Sequence, residues 1–215
     1  MSENIVIIYK EEKKEGDMTI AKQVKEKILS FDRGSLFASR DFLNIGNRAV
    51  IDKTLSRMVK QGEIERAARG LFFRPIKNRF VGNVPVKLET VIHTISKQNG
   101  EIIQIHGAEA ARLFKLSTQM PTKTVFYTSG TTRKIKIINT EVQFIHTSNK
   151  RKLQYAGTNI GLAISALWYL GKELVTPTVI QKLKANLNNE EFITLKNANL
   201  TQWMQHAIHK SELQV

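Results

Sequence analysis

Apolar and polar positions alternate along the chain with periods that change from segment to segment. Ile20, Val24, Ile28 and Leu29 recur at three-to-four spacing with lysines between them, which predicts a helix over residues 19–31, capped by Thr19 or Asp17. Phe31-Asp32-Arg33-Gly34 closes it. Leu36 and Phe37 read as a short extended piece, and Ser39 caps a short helix through Leu43. After the break at Ile45-Gly46, Asn47 caps a further helix that runs to Gln61. Val50, Ile51, Leu55, Met58 and Val59 form its apolar stripe, and Arg48, Asp52, Lys53, Ser56, Arg57 and Lys60 fall on the opposite side. Gly62 stands where helix ends favour glycine. The stretch GEIERAARGLFFRP, residues 62–75, then predicts a hairpin with strands at 64–66 and 71–74. Gly70 is free to take positive φ at the reversal.

Asn78 to Val84 reads as a linker, dividing the chain into domains at 18–77 and 84–215. Beyond it the pattern predicts a helix over 86–98, a strand over 102–105 and a helix over 107–114. A strand over 124–128, a turn at Ser129-Gly130-Thr131 and a hairpin of 134–138 with 142–146 follow. Asn159 to Leu170 is a strongly apolar helix suited to the centre of a core. Pro177 opens a helix to Leu187, and 200–209 is the last. Before all of this, Ile5 to Tyr9 is a strand-like apolar run followed by a charged, turn-rich stretch. The fold class expected is α+β. The order helix, short helix, basic helix, hairpin is that of a winged helix-turn-helix, followed by a mixed α+β C-terminal domain.

Composition changes this picture in two ways. The 215 residues include no cysteine, which excludes disulfides, cysteine-ligated zinc, iron–sulfur centres and thiol catalysis. No apolar run reaches membrane-spanning length, and the N-terminus lacks the basic and apolar regions of a signal peptide, so a cytoplasmic protein is expected. Lys and Arg number 33 against 19 acids, a formal charge of +14 that favours an anionic partner such as nucleic acid. The excess is concentrated. Residues 48–79 hold nine Lys or Arg against three acids, and residues 112–152 hold nine against one.

The first basic zone coincides with the expected basic helix and hairpin. A helix in the major groove presents its first turns to base edges. Asn47 starts that helix, Arg48 is the expected base contact, and Asp52 and Lys53 lie on the same early turns. Ser56, Arg57 and Lys60 suit phosphates, which set register more than sequence. Ile64, Leu71 and Phe73 would pack the hairpin base on Val59 and Leu55. Arg66 and Arg69 would stand near phosphates or the minor groove, and Phe72 would close the far side or meet the second domain. The alternatives are a solvated basic face or a winged helix that binds protein. The second zone comprises Arg112, Lys115, Lys123, Arg133, Lys134, Lys136, Lys150, Arg151 and Lys152. It extends the DNA footprint, meets an acidic partner, or is a solvated edge.

Catalytic chemistry finds little support. His206 and His209, three apart on one helix, read as a solvated helix end rather than a metal site. His106 and His146 at strand ends read as single hydrogen-bonding groups. The hydroxyl-rich stretch Thr128 to Arg133 lacks the glycine and lysine pattern of a phosphate loop and reads as a hairpin turn. Glu109 and Glu141 form no evident acid pair. No enzyme, cofactor or metal is expected.

Two segments carry a family likeness. VIDKTLSRMVKQGEIERAARGLFFRP resembles the winged-helix part of AbiEi-type antitoxins, where a Lys-Gly turn and an arginine-rich strand lead to Gly-Leu-Tyr-Tyr-Arg-Pro. Leu55, Gly62, Ile64, Arg69, Gly70, Phe72, Phe73 and Pro75 match, with phenylalanine in the aromatic places. IHGAEAARLFKLSTQMPTKTVFYTSG resembles the same group's Gly-x-x-Ala-Ala-x-x-Leu-Gly-Leu-Ser-Thr-Gln-x-Pro segment, with Phe114-Lys115 in place of Leu-Gly. The matches span 19–171. The resemblance implies an antitoxin of a bacterial type IV toxin–antitoxin system of the abortive-infection kind. Its winged helix would repress its own promoter at inverted repeats of double-stranded DNA. Its C-terminal domain would support neutralisation of a nucleotidyltransferase-like toxin encoded next door, directly or functionally. Arg48, Lys53 and Arg57 would then lie on the recognition helix, and Arg66 and Arg69 on the wing. A transcriptional regulator without a toxin is the variant reading.

Overall fold

A computed structural model describes residues 19–80 and 82–213; Ile5 to Tyr9 and Asp17 lie outside them. Helix α1 (Ile20–Ser30) begins where the Thr19 hydroxyl accepts a hydrogen bond from the Lys22 amide, and it buries Val24 and Ile28. Leu29, expected on the buried stripe, is exposed. Strand β1 (Leu36–Ala38) leads into a 3-10 turn at Ser39–Phe42. The N-cap of that turn is Ala38, not Ser39, and the Asp41 carboxylate reaches back to accept the Ala38 amide at 2.7 Å. Helix α2 (Arg48–Lys60) starts at Asn47, whose Oδ1 accepts the Val50 amide at 3.0 Å. It ends at Gln61, and Gly62 follows in the left-handed region at φ 70°.

Strands β2 (Glu65–Ala68) and β3 (Leu71–Phe73) pair antiparallel across Gly70, and β1 pairs with β3 to complete a sheet of order β1-β3-β2. Ala67 and Ala68, expected in the loop, belong to β2 beyond a bulge. The period of two decides what each side chain meets. Phe37, Ile64 and Phe72 join Val24, Ile28, Phe42, Ile51, Leu55 and Met58 in one cluster under the helices. Ala38, Ala67, Ala68, Leu71 and Phe73 join a different cluster on the opposite side. The expectation that Leu71 and Phe73 pack on Leu55 is therefore corrected: Ile64 and Phe72 do so. Both faces of the sheet are covered, which is why Leu71-Phe72-Phe73 is an unbroken apolar run.

The expected linker is structured. Strands β4 (Ile76–Asn78) and β5 (Gly82–Val84) form a second hairpin. Asn83 Nδ2 donates to Glu65 Oε1 at 2.6 Å, which ties that hairpin to β2. Arg74 donates to the carbonyls of Leu29 and Phe31, satisfying groups left open at the end of α1.

Helix α3 (Leu88–Asn99) ends at Gly100 in the left-handed region. Helix α4 (Gly107–Leu113) lies between β6 (Ile103–Ile105) and β7 (Thr124–Thr128), and the hairpin β8 (Arg133–Ile137) and β9 (Thr140–His146) follows. The sheet order is β6-β7-β9-β8, with β7 and β9 parallel and the other pairs antiparallel. Val91, Ile92 and Ile95 of α3 pack with Ile103, Phe126, Ile137, Val142 and Phe144 of this sheet. The same cluster takes in Leu71 and Phe73, so one core draws on both sides of the supposed boundary. The edges of β2 and β8 also meet, where the Ile138 amide donates to the Ala67 carbonyl at 2.7 Å.

The remaining helices are α5 (Lys150–Leu153), α6 (Asn159–Leu174), α7 (Pro177–Asn186), α8 (Asn189–Asn197) and α9 (Gln202–Glu212). Ala163, Ile164, Ala166 and Leu167 of α6 pack against Ala110 and Ala111 of α4 in a third cluster. Gly107 lies so close to the Ser165 carbonyl and Tyr169 that no larger residue fits there. Helix α6 runs past Leu170 because helical turns resume beyond a kink at Gly171. The chain is an α+β fold.

Candidate nucleic-acid interface

Burial of Ile51, Leu55 and Met58 fixes the rotation of α2, and with it the face turned to solvent. Asn47, Arg48, Lys53, Arg57 and Lys60 are exposed; Asp52 and Ser56 are half-buried between them. Lys53, Arg57 and Lys60 make no ion pair among the described residues. Arg48 differs: its Nε donates to Asp52 Oδ2 at 2.8 Å, one turn on. To grip a base, this guanidinium must exchange that carboxylate for the ligand. Lysines 53 and 60 thus form the unpaired basic stripe, with Arg57 at its margin beside α1.

The hairpin β2–β3 does not project freely. Ala67, Ala68 and Leu71 near its tip are buried against α3 and the second sheet. Arg66 and Arg69 still reach solvent. Arg66 lies 5.3 Å from the centre of the Phe72 ring, a cation–π contact that holds it across the strand pair. Both arginines line a cleft of about 820 Å³, whose other wall carries Arg133, Lys134 and Lys136 of β8. The floor is apolar, with Leu71, Ile95, Ile135 and Ile138, and Gln98 and Asn99 of α3 complete the lining. The α3 residues were invisible to sequence reading because nothing local signals which helix end will meet a hairpin far away in sequence.

The nine residues of the second basic zone do not form one surface. Lys134 and Lys136 face the cleft, and Lys134 lies 3.8 Å from Glu141. Arg112 is bound to Glu109 through two hydrogen bonds and lines a separate cavity with Lys123. Lys115 is exposed at the end of α4 with φ 55°. Lys150 and Arg151 are exposed on α5, whereas Lys152 sits 5.1 Å from the rings of both Tyr127 and Trp168. Arg133 is a structural residue. It forms an ion pair with Glu101 and stacks 4.5 Å from the Phe144 ring centre. Burial alone would push the Glu101 carboxyl up, but hydrogen bonds from Arg133, Thr128 and Asn99 outweigh it and hold the group below its ordinary value.

The hydroxyl-rich turn closes this network, since Thr128 Oγ1 donates to Glu101 and accepts the Gly130 amide at 2.9 Å. His146 Nδ1 lies 2.6 Å from the Gly130 carbonyl. His106 Nδ1 accepts the Ala108 amide at the start of α4 and its ring packs 4.9 Å from Tyr127. Burial, then the charge of Lys152, lower its pKa, which keeps the capping nitrogen free to accept. Among the described residues no group of three or more His, Asp or Glu is placed to hold a metal ion. No described helix is long and apolar enough to cross a membrane.

No curated protein matches the chain. A family model matches residues 23–195, from within α1 to within α8, and takes in the shared core, the cleft and the exposed face of α2. The chain belongs to that family, the family of unknown function DUF6088.

Proposed function

We propose that this protein is a DNA-binding antitoxin that represses its own promoter and counteracts a nucleotidyltransferase-like toxin. The observation that carries the DNA half is the exposed face of α2, a helix capped at Asn47, along which Lys53, Arg57 and Lys60 make no ion pair among the described residues. The element order supports a winged helix-turn-helix: α1, β1, the 3-10 turn, α2, then the hairpin β2–β3 with β1 paired to its second strand. In this reading α2 enters the major groove and residues 18–77 form the reading head. The hairpin acts mainly as a strut against the C-terminal part, residues 84–215, with Arg66 and Arg69 as its outer charges. The toxin half rests on the resemblance to AbiEi-type antitoxins in both quoted segments.

Fluorescence anisotropy with the gene's own upstream duplex and a scrambled duplex tests the first half. The native duplex is expected to bind more tightly. Lys53→Ala with Arg57→Ala should weaken it about tenfold or more and lower the magnitude of the salt slope by roughly two, one unit per phosphate lost. Equal affinity for both duplexes that vanishes at high salt would reduce the proposal to a basic surface. Failure to bind either would favour a protein-docking winged helix. Co-expression with a nucleotidyltransferase-like neighbour tests the second half: toxicity unrelieved by this protein rules the antitoxin role out.

A further inference from the structure

The cleft between the β2–β3 hairpin and β8 has a chemistry that DNA reading by α2 does not use. Cations line both sides, Arg69 on the hairpin and Lys134 and Lys136 on β8, with Arg66 held over the Phe72 ring at the margin, and no carboxylate is among the residues that line it. Arg133 is held by Glu101 and Lys134 lies 3.8 Å from Glu141, but Arg69 and Lys136 have no ion-pair partner among the described residues. Gathering like charges in a concavity focuses a positive potential and is unfavourable until an anion enters. The floor is different in kind: Leu71 and Ile95 are buried there, and Ile135 and Ile138 are half-buried. A volume of about 820 Å³ lies in the range of small-ligand sites, roughly 300–1,000 Å³. A double helix is too broad to enter such a cleft and would only lie across its mouth.

We infer that this cleft binds a nucleoside polyphosphate, with its phosphates between the two cationic walls and its ring on the apolar floor. Arg69 and Lys136 facing each other, with Lys134 beside them, match a chain of phosphates better than a single carboxylate. The apolar floor gives the ring a surface that inorganic phosphate would leave unused. The ligand would bridge the hairpin to β8, beside the hydrogen bond from Ile138 to Ala67. None of its residues belongs to α2, and Arg66 and Arg69, which it shares with the hairpin of the DNA reading, are the reason duplex binding is measured beside nucleotide binding.

Calorimetric titration of the full chain with ATP, GTP, adenosine and inorganic tripolyphosphate tests the assignment. ATP or GTP is expected to bind at least about tenfold more tightly than adenosine or tripolyphosphate, since phosphates and ring both contribute. Arg69→Ala with Lys136→Ala should weaken the nucleotide about tenfold or more. Lys150→Ala with Arg151→Ala, exposed on α5, should leave it unchanged. No binding of either nucleotide by the wild-type chain overturns the inference, as does equal affinity for tripolyphosphate. An equal loss in both double variants does the same. Upstream-duplex binding measured on the same variants separates the two proposals. Loss of duplex by the cleft variant, with no nucleotide bound by the wild type, would assign these cations to DNA. Loss of nucleotide with the duplex retained would support the cleft site.

Discussion

Replacing Phe73 by alanine should destabilise the chain by about 3–5 kcal/mol, the cost of deleting a large side chain from a packed interior. Phe73 is fully buried, and its cluster includes Val91 and Ile95 of α3 and Phe126 and Phe144 of the second sheet. The consequence extends beyond the segment that holds the mutation. Both tryptophans, Trp168 and Trp203, lie among the C-terminal helices, so their fluorescence reports that region alone. In thermal unfolding followed by tryptophan emission and by far-ultraviolet circular dichroism, the variant should melt in one transition, lowered about 10 °C in both signals. A tryptophan transition left at the wild-type temperature would show that residues 18–77 unfold on their own.

The second large effect is expected at Arg133. Its alanine variant leaves the Glu101 carboxylate buried without its cation, at a cost of about 3 kcal/mol near neutral pH. The lower end of the usual range applies because the Arg133 side chain keeps 24% of its exposure. The pH dependence carries the diagnosis. In the wild type the Glu101 pKa is lowered, so the group contributes stability above its unfolded pKa, about 4.3, and loses it as pH falls through the folded value. Without Arg133 only the hydrogen bonds from Thr128 and Asn99 oppose burial, so the pKa is expected to rise and the sign to reverse: the carboxylate destabilises at pH 7 and is relieved as it takes a proton. The gap in melting temperature between wild type and variant should therefore narrow from pH 7 to pH 4. Glu101→Gln added to Arg133→Ala should recover part of the loss at neutral pH. A constant gap across that range would mean that Arg133 acts through its contact with Phe144 instead.

Most elements were legible because their signals are local. Thr19, Asn47 and Pro177 mark helix starts, and Gly62 and Gly100 mark helix ends. Helix α8 was missed although its signal was present: Asn188 and Glu191 form a reciprocal capping box, with Asn188 Oδ1 accepting the Glu191 amide and Glu191 accepting the Asn188 amide. Its two buried residues, Phe192 and Leu195, were too few to show a period. The hairpin at 76–78 and 82–84 lacks a local signal for a different reason. Residues 76–84 are mostly exposed, and exposure with Asn and Gly resembles a loop, but the backbone pairs as a hairpin. The site followed the same division. The polar face of α2 is set by its own period and could be read directly. Which cations share a cleft depends on strands β2 and β8, some 65 residues apart, and no local pattern encodes that meeting. Arg133 and Lys152 counted as surface charge in the sequence, yet one neutralises a buried acid and the other lies between aromatic rings.

The twofold covering of the β1-β3-β2 sheet bears on how the gene can be cut. A fragment ending in 78–84 would expose Ala38, Ala67, Ala68, Leu71 and Phe73 as one flat apolar face, and β2 would regain a bare edge where it had accepted the Ile138 amide. The complementary fragment would expose Ile92, Ile95 and Ile137. A stop engineered in that short stretch should send the N-terminal half to the insoluble fraction, and the C-terminal half expressed alone should follow it, whereas a nick made after folding should leave the two halves associated through their common core.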